Sequence, residues 1–268
     1  MVPELNDFNV SACIYIKDGN NGCCVESTKV KLVVGEWTEL QFEIPPMNGV
    51  CLEEAGVRFI VLGTRELYHF GIQNAITAYL DDFDFYGGPA YSIDFSKEHI
   101  ELWNALHKEI SQFTYLKGIW ELHGDALSGS CCDYAEAYTG GYDWKDYSFE
   151  ATINPQIGNH HNMNFRVQGA IKSYALGLSP NNELSFYKND NGYKKLASIP
   201  FVWDCGKEYT FKVEASGSDF KVYNNGKLIM EYSDMDHPYT TGQIGVSVLN
   251  GSHCHYKNFK VIGAGYGG

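Results

Sequence analysis

The 268-residue sequence predicts an all-β protein of two β-sandwich (jelly-roll) domains with a short helix near their junction. Three observations carry this. Short segments alternate apolar and polar residues with period two, hairpin-type turn sequences separate them, and 19 Tyr with 15 Phe favour a pleated surface over helices. In the first domain, residues 1-88, Val10 to Lys17 alternates and reads as a strand. Thr28 to Val34 follows, and after the turn Gly35-Glu36 comes Trp37 to Ile44, stopped by Pro45-Pro46. Val57 to Gly63 and Ala75 to Tyr86 complete the set. So few strands make a small sandwich, which implies that its opening strands are missing. Gly87-Gly88-Pro89 is the sharpest punctuation in the chain and marks the boundary.

The second domain, residues 89-268, opens on a different period. Ile100, Trp103, Leu106, Ile110 and Phe113 recur at intervals of three and four, with Ser96 as N-cap, so a helix is expected from about Lys97 to His107. Period two then returns. Strands are expected at Gly118 to Leu122, Tyr147 to Ile153, Asn162 to Gln168, Ser173 to Leu178 and Leu184 to Asn189. Five more follow at Tyr209 to Ala215, Phe220 to Tyr223, Lys227 to Tyr232, Gln243 to Leu249 and Tyr256 to Ile262. Turns such as Asn189-Asp-Asn-Gly192 and Asn224-Asn-Gly226 join them as antiparallel hairpins. Trp37, Trp120 and Trp203 are expected in cores.

Charge narrows the partners. A formal net charge of −13 leaves no basic patch to neutralise phosphates, which argues against nucleic acid and against an anionic membrane. No run approaches the roughly 20 apolar residues of a membrane span, and the N-terminus lacks a basic-then-apolar leader. The eight cysteines lack any C-x-x-C spacing; their even number allows a disulfide framework, but they read mostly as free thiols in a reducing compartment, so a cytoplasmic setting is expected ahead of a secreted one.

Candidate binding residues come from parity. Met163, Phe165 and Val167 face one way, Asn164, Arg166 and Gln168 the other. Arg166 is one of three arginines, and a planar fork flanked by amides suits sugar hydroxyls or a carboxylate. Glu150 alternates with Phe149 and Ala151 on another strand and is expected beside Arg166. Opposite Tyr174, Leu176 and Leu178, the small Ser173, Ala175 and Gly177 would leave a shallow trough. Tyr187 on an outward face, or Trp144 in the loop Tyr138-Thr-Gly-Gly-Tyr-Asp-Trp144, would supply a stacking platform for a pyranose. A solvated sheet face and ordinary packing explain the same residues without any ligand.

Several of these segments resemble a known family. Trp144-Lys-Asp-Tyr147, Asn164-Phe-Arg-Val-Gln-Gly-Ala-Ile-Lys-Ser-Tyr-Ala-Leu-Gly-Leu178, Phe186-Tyr-Lys-Asn189 and Gly242-Gln-Ile-Gly245 resemble the C-terminal accessory region of bacterial ADP-ribosylglycohydrolase family proteins. The resemblance spans about residues 90 to 264 and implies a concanavalin A-like sandwich, similar to sugar-binding modules. The first domain is similar to the latter part of a galactose-binding-like jelly roll, through Gly35-Glu-Trp-Thr38 and Ala78-Tyr-Leu-Asp-Asp-Phe-Asp-Phe85. Comparable modules hold a structural calcium at a carboxylate like Asp81, which parity turns inward with Tyr79, Phe83 and Phe85. Arg58 or a backbone amide is the other way to satisfy Asp81. The helical, magnesium-binding catalytic half of that family has no counterpart here.

Catalytic signatures are weak. A laminarinase-type sandwich hydrolase needs Glu-x-Asp-x-x-Glu on one strand, and the nearest strand offers only Glu150. His160-His161 and His253-Cys254-His255 are expected in loops, solvated. The expected function is a non-catalytic carbohydrate-binding pair, with a glycan as ligand and a glycoside-cleaving domain as partner. Glu150, Asn164, Arg166, Gln168, Tyr187 and Trp144 would form its site. A sandwich glycosidase using Glu150, or a structural module packing on a catalytic domain, are the alternatives.

Overall fold

The computed structural model describes residues 9–18, 22–45, 52–62, 77–84, 88–98 and 113–264. They are all-β, in two sheet-rich, sandwich-like units with a short 3-10 turn near the junction in sequence. Contacts divide the chain into Met1–Pro45 with Val50–Phe85, and Tyr86–Gly268 with Pro46–Gly49.

The first unit contains β1 (Asn9–Asp18), β2 (Cys24–Glu26), β3 (Val30–Lys31) and β4 (Leu52–Leu62). β1 lies at the centre, antiparallel to β4 on one side and to β2 and β3 in succession on the other. Ala12, Cys13 and Ile16 are buried. Two expectations are corrected here. Residues 37–44, and the described 77–84, form no strand. Trp37 is 73% exposed instead of buried in a core. Alternation specifies a strand only where a neighbour pairs with it, and neither segment has such a neighbour among the described residues. Asp81 is therefore not turned inward: it is exposed beside exposed Tyr79 and Phe83, and Oδ1 accepts from the Asp82 amide at 3.0 Å. Its carboxylate needs no metal to be tolerated there.

The second unit begins with β5 (Ala90–Ile93) and the 3-10 turn Phe95–Lys97. Asp94, not Ser96, caps that turn, its side chain accepting from the Ser96 amide at 3.1 Å. Most of the expected helix, 99–107, lies outside the described residues. Next come β6 (Thr114–Leu116), β7 (Ile119–His123), β8 (Ala126–Ser130), β9 (Tyr134–Thr139), β10 (Tyr147–Ile157), β11 (His161–Gly169) and β12 (Lys172–Ser179). They are followed by β13 (Glu183–Asp190), β14 (Tyr193–Pro200), β15 (Tyr209–Ser216), β16 (Asp219–Asn224), β17 (Lys227–Ser233), β18 (Gln243–Leu249) and β19 (His253–Gly263).

Two antiparallel sheets result. One has the order β17-β16-β15-β10-β19-β8-β7, with β5 also paired to β19; the other runs β14-β13-β12-β11-β18-β9-β6. Phe149, Phe211, Phe220 and Phe259 from the first sheet meet Phe165, Leu176, Phe186 and Val246 from the second in one continuous core. The odd and even positions of each strand thus separate a sealed interior from two outer faces, and the outer face of the β14-to-β6 sheet carries the site. No helix among the described residues is long and apolar enough to cross a membrane.

Candidate functional site

A bulge in β11 decides which side chains reach the surface. Pairing with β18 runs to Asn164↔Gly245 and resumes at Val167↔Gln243, one residue out of step. Arg166 is the extra residue, with a left-handed φ of 51° and its amide donating to Tyr147 Oη at 2.8 Å. A bulge resets the in–out alternation, so the expected outward Arg166 is instead 0% exposed. Its guanidinium lies 5.5 Å from the Tyr147 ring centroid, and Nη2 donates to Asp146 Oδ1 at 3.2 Å. Gly242 makes the close approach possible, because a Cβ there would stand 2.6 Å from the Arg166 carbonyl carbon. Arg166 is packed in the interior, with Nε and Nη1 buried and lacking a hydrogen-bond partner. Arg166→Ala is expected to lower the unfolding free energy by about 2 kcal/mol, because a packed cation is lost while half-exposed Asp146 regains water. Urea denaturation at pH 7 measures this, and an unchanged midpoint would contradict it.

The other expected partners disperse. Glu150 lies in the opposite sheet, between Lys212 on β15 and Lys260 on β19 in register, so it shares no face with Asn164. Trp144 packs on Tyr91 at 5.5 Å and on Tyr147 at 6.2 Å. Gln168 is exposed past the bulge and donates to the Thr241 carbonyl. Asn164 and Tyr187 remain on the outer face of the same sheet.

A groove of about 500 Å³ lies there. Tyr134 of β9, Asn162 of β11, Tyr187 and Asn189 of β13 and Tyr193 of β14 line it, with turn residues Asp133, His160, Asn191 and Asn250. The expected trough over Ser173, Ala175 and Gly177 is filled by neighbouring side chains, and Ser173 and Ala175 are 0% exposed. Tyr187 donates or accepts with Ser179 Oγ at 2.8 Å and meets the Tyr193 ring edge to face at 6.1 Å.

Under this surface lies a polar network built on Glu136 of β9, which is 3% exposed. Oε1 accepts from Asn189 Nδ2 at 2.7 Å and Tyr193 Oη at 2.8 Å, and Oε2 from the Ile171 amide at 3.1 Å. One carboxyl group thereby holds the β11–β12 turn and the β13–β14 hairpin over the sheet. Burial raises its pKa, opposed by the Tyr193, Ile171 and Asn189 donors. Burial also raises that of Tyr193, with Glu136 adding to the effect.

The network orients one more group. Asn164 Nδ2 donates to Ser173 Oγ at 3.0 Å and Tyr193 Oη at 2.9 Å, so its Oδ1 is the atom that accepts from Ser247 Oγ at 2.8 Å. With its hydrogen committed, Ser247 Oγ accepts from Asn162 Nδ2 at 3.1 Å. That fixes the Asn162 amide and leaves Oδ1 without a hydrogen-bond partner on a side chain 1% exposed. Gly177 provides the room, since a Cβ there would lie 1.7 Å from that oxygen.

Sequence reasoning missed Glu136 because β9, Tyr-Ala-Glu-Ala-Tyr-Thr, buries alanines and lacks large aliphatics. The signal was present: Tyr134, Glu136 and Tyr138 alternate with Ala135 and Ala137. His161, expected solvated in a turn, opens β11 and is 0% exposed against Trp203, ring centroids 5.5 Å apart. His253 and His255 lie in β19, not in a loop. Among the described residues no three His, Cys, Asp or Glu side chains are grouped to hold a metal ion.

Comparison with known proteins adds the fold. No protein-family model matches the chain, and no curated protein does. A solved carbohydrate-binding module, CBM66 from Bacillus subtilis, aligns at 22% identity and TM-score 0.52, over 56% of this chain and 95% of that one. A Bacillus subtilis protein of unknown function with a galectin-like fold aligns at 12% identity and TM-score 0.51, over 66% and 97%. The sandwich is concanavalin-like. A sialidase also aligns, at 14% identity and TM-score 0.51, over 67% of this chain but 19% of its own length. At such identities the likeness extends to the fold alone, and it does not tie the chain to ADP-ribosylglycohydrolases in particular.

Proposed function

We propose that the second unit is a non-catalytic carbohydrate-binding module that accompanies a glycoside-cleaving enzyme, with sugar held in the groove of the β14-to-β6 sheet. The observation that carries this is the groove itself, lined by Tyr134, Tyr187 and Tyr193 and the amides of Asn162, Asn189 and Asn191, with Asn162 Oδ1 a buried acceptor lacking a protein partner at its floor. Leaving such an atom unpaired is costly, and a sugar hydroxyl donating to it removes that cost. Tyr134, with Lys117 over its ring, and the edge of the largely buried Tyr187 line the groove and offer aromatic contact to pyranose C–H groups. The likeness to a carbohydrate-binding module supports the assignment. That the sialidase matches over only a fraction of its length agrees with an accessory role. Glu150, the acid a sandwich glycosidase would use, belongs to the opposite sheet and shares no groove with these residues.

Glycan-array screening followed by titration calorimetry tests it. Wild type should bind at least one oligosaccharide. Asn162→Ala should weaken binding about tenfold or more, the loss of one buried hydrogen bond, and Gly177→Ala should do the same by displacing the amide. Glu150→Ala, on the far sheet, should bind as wild type does. Loss of binding in Glu150→Ala with none in Asn162→Ala would place the site elsewhere.

A further inference from the structure

The charges around the groove restrict what kind of sugar fits it. Among the described residues Asp133 is the one ionised side chain on its lining, since burial keeps His160 toward the neutral form. Glu136 lies directly beneath. Cations in the strands and turns around it are already engaged: Lys117 Nζ is 3.0 Å from Asp133 Oδ2, and Lys195 Nζ is 2.5 Å from Glu183 Oε2. Neither ammonium lines the cavity. Arginine is the side chain best shaped to hold a carboxylate or sulfate, by two parallel hydrogen bonds. The whole sequence has three arginines, and Arg166, the one in this unit, is sealed against Tyr147 and paired with Asp146. The chain's net charge of −13 adds a repulsive background.

The unmatched hydrogen-bonding atom points the same way. Asn162 Oδ1 accepts and cannot donate, so it suits an O–H. A carboxylate or sulfate oxygen placed against it would meet another acceptor. Both the long-range field and the short-range geometry select against an anion.

Granting that the groove binds carbohydrate, we infer that its ligands are uncharged glycans bearing free hydroxyls, and that uronic-acid, sialylated and sulfated glycans are excluded. Discrimination rests on the absence of an unengaged cation among the described lining residues and on the acceptor-only Asn162 Oδ1, Asp133 being itself paired with Lys117.

An array carrying matched neutral, uronic, sialylated and sulfated oligosaccharides tests the inference. Neutral glycans are expected to bind, and their acidic counterparts on the order of 100-fold more weakly. Affinity for the neutral ligand should change less than about twofold between about 0.05 M and about 0.5 M salt, because no ion pair forms on binding. Asp133→Asn, which releases the Lys117 ammonium beside the groove, should narrow the gap between neutral and acidic glycans. Binding of an acidic glycan as tightly as its neutral counterpart, or affinity falling steeply with salt, overturns the inference and leaves the groove a sugar site. Absence of binding to every class overturns the carbohydrate assignment itself.

Discussion

Glu136→Ala is expected to lower the unfolding free energy by about 3 kcal/mol and to abolish glycan binding. The carboxyl accepts three hydrogen bonds in a site 3% exposed. Truncation leaves Asn189 Nδ2 buried without an acceptor, at about 1–3 kcal/mol, and takes the acceptor from the part-buried Ile171 amide at a smaller cost. Tyr193 Oη is better placed, because Ser247 Oγ stands 2.9 Å away to take its hydrogen. The β13–β14 hairpin then loses its anchor to β9, and with it the Tyr193 and Asn191 side of the groove. Glu136→Gln refines the prediction. Burial raises the folded-state pKa above the usual 4.5, so the folded chain holds this proton more tightly than the unfolded chain. The stabilisation from that proton is complete below about pH 4.5 and is lost as pH rises through the folded pKa. A glutamine does not titrate, so its penalty relative to wild type should shrink between about pH 4 and about pH 8. Urea unfolding across that range measures it, and a penalty that grows with pH would show that Glu136 is stabilised as an anion.

His161 sets the second large effect, with the opposite sign. Burial pulls its pKa down to about 4 from the usual 6.5, the Gly158 backbone opposing the shift. Between those values the unfolded chain binds the proton and the folded chain does not, so stability falls as the solution is acidified. The full loss approaches about 3 kcal/mol. Neither ring nitrogen has a well-formed hydrogen bond, and the ring packs edge to face on Trp203, so an apolar replacement is tolerated. His161→Leu should keep most of the neutral-pH stability and lose less on going from about pH 7 to about pH 4.5. Identical acid sensitivity in the two proteins would remove His161 as the cause. The variant-to-wild-type difference isolates this group from the carboxylates that titrate nearby.

The two residues differ in how far the sequence announced them. His161 stands in a visible doublet after Gly158-Asn159, yet it reads as a turn because its strand begins there. Glu136 was hidden between alanines. Arg166 was the most visible of all and misled: strict alternation puts it outside, and one extra residue of bulge turns it inside. Tyr187 and Asn164 kept their parity because β12, β13 and β11 up to position 165 pair without slippage through them.

By itself the sequence determined the class of fold and ten of the fifteen strands of the second sandwich, because period-two burial is a local property that residues write directly into the chain; it did not announce β5, β6, β8, β9 or β14. It also determined the negative charge and the scarcity of arginine. Only the tertiary structure decided which strands share a sheet, where the register slips and which polar groups end up facing one another. Those depend on pairings between residues far apart in sequence, such as Glu136 with Asn189 and Tyr193, and no local pattern encodes such a distance.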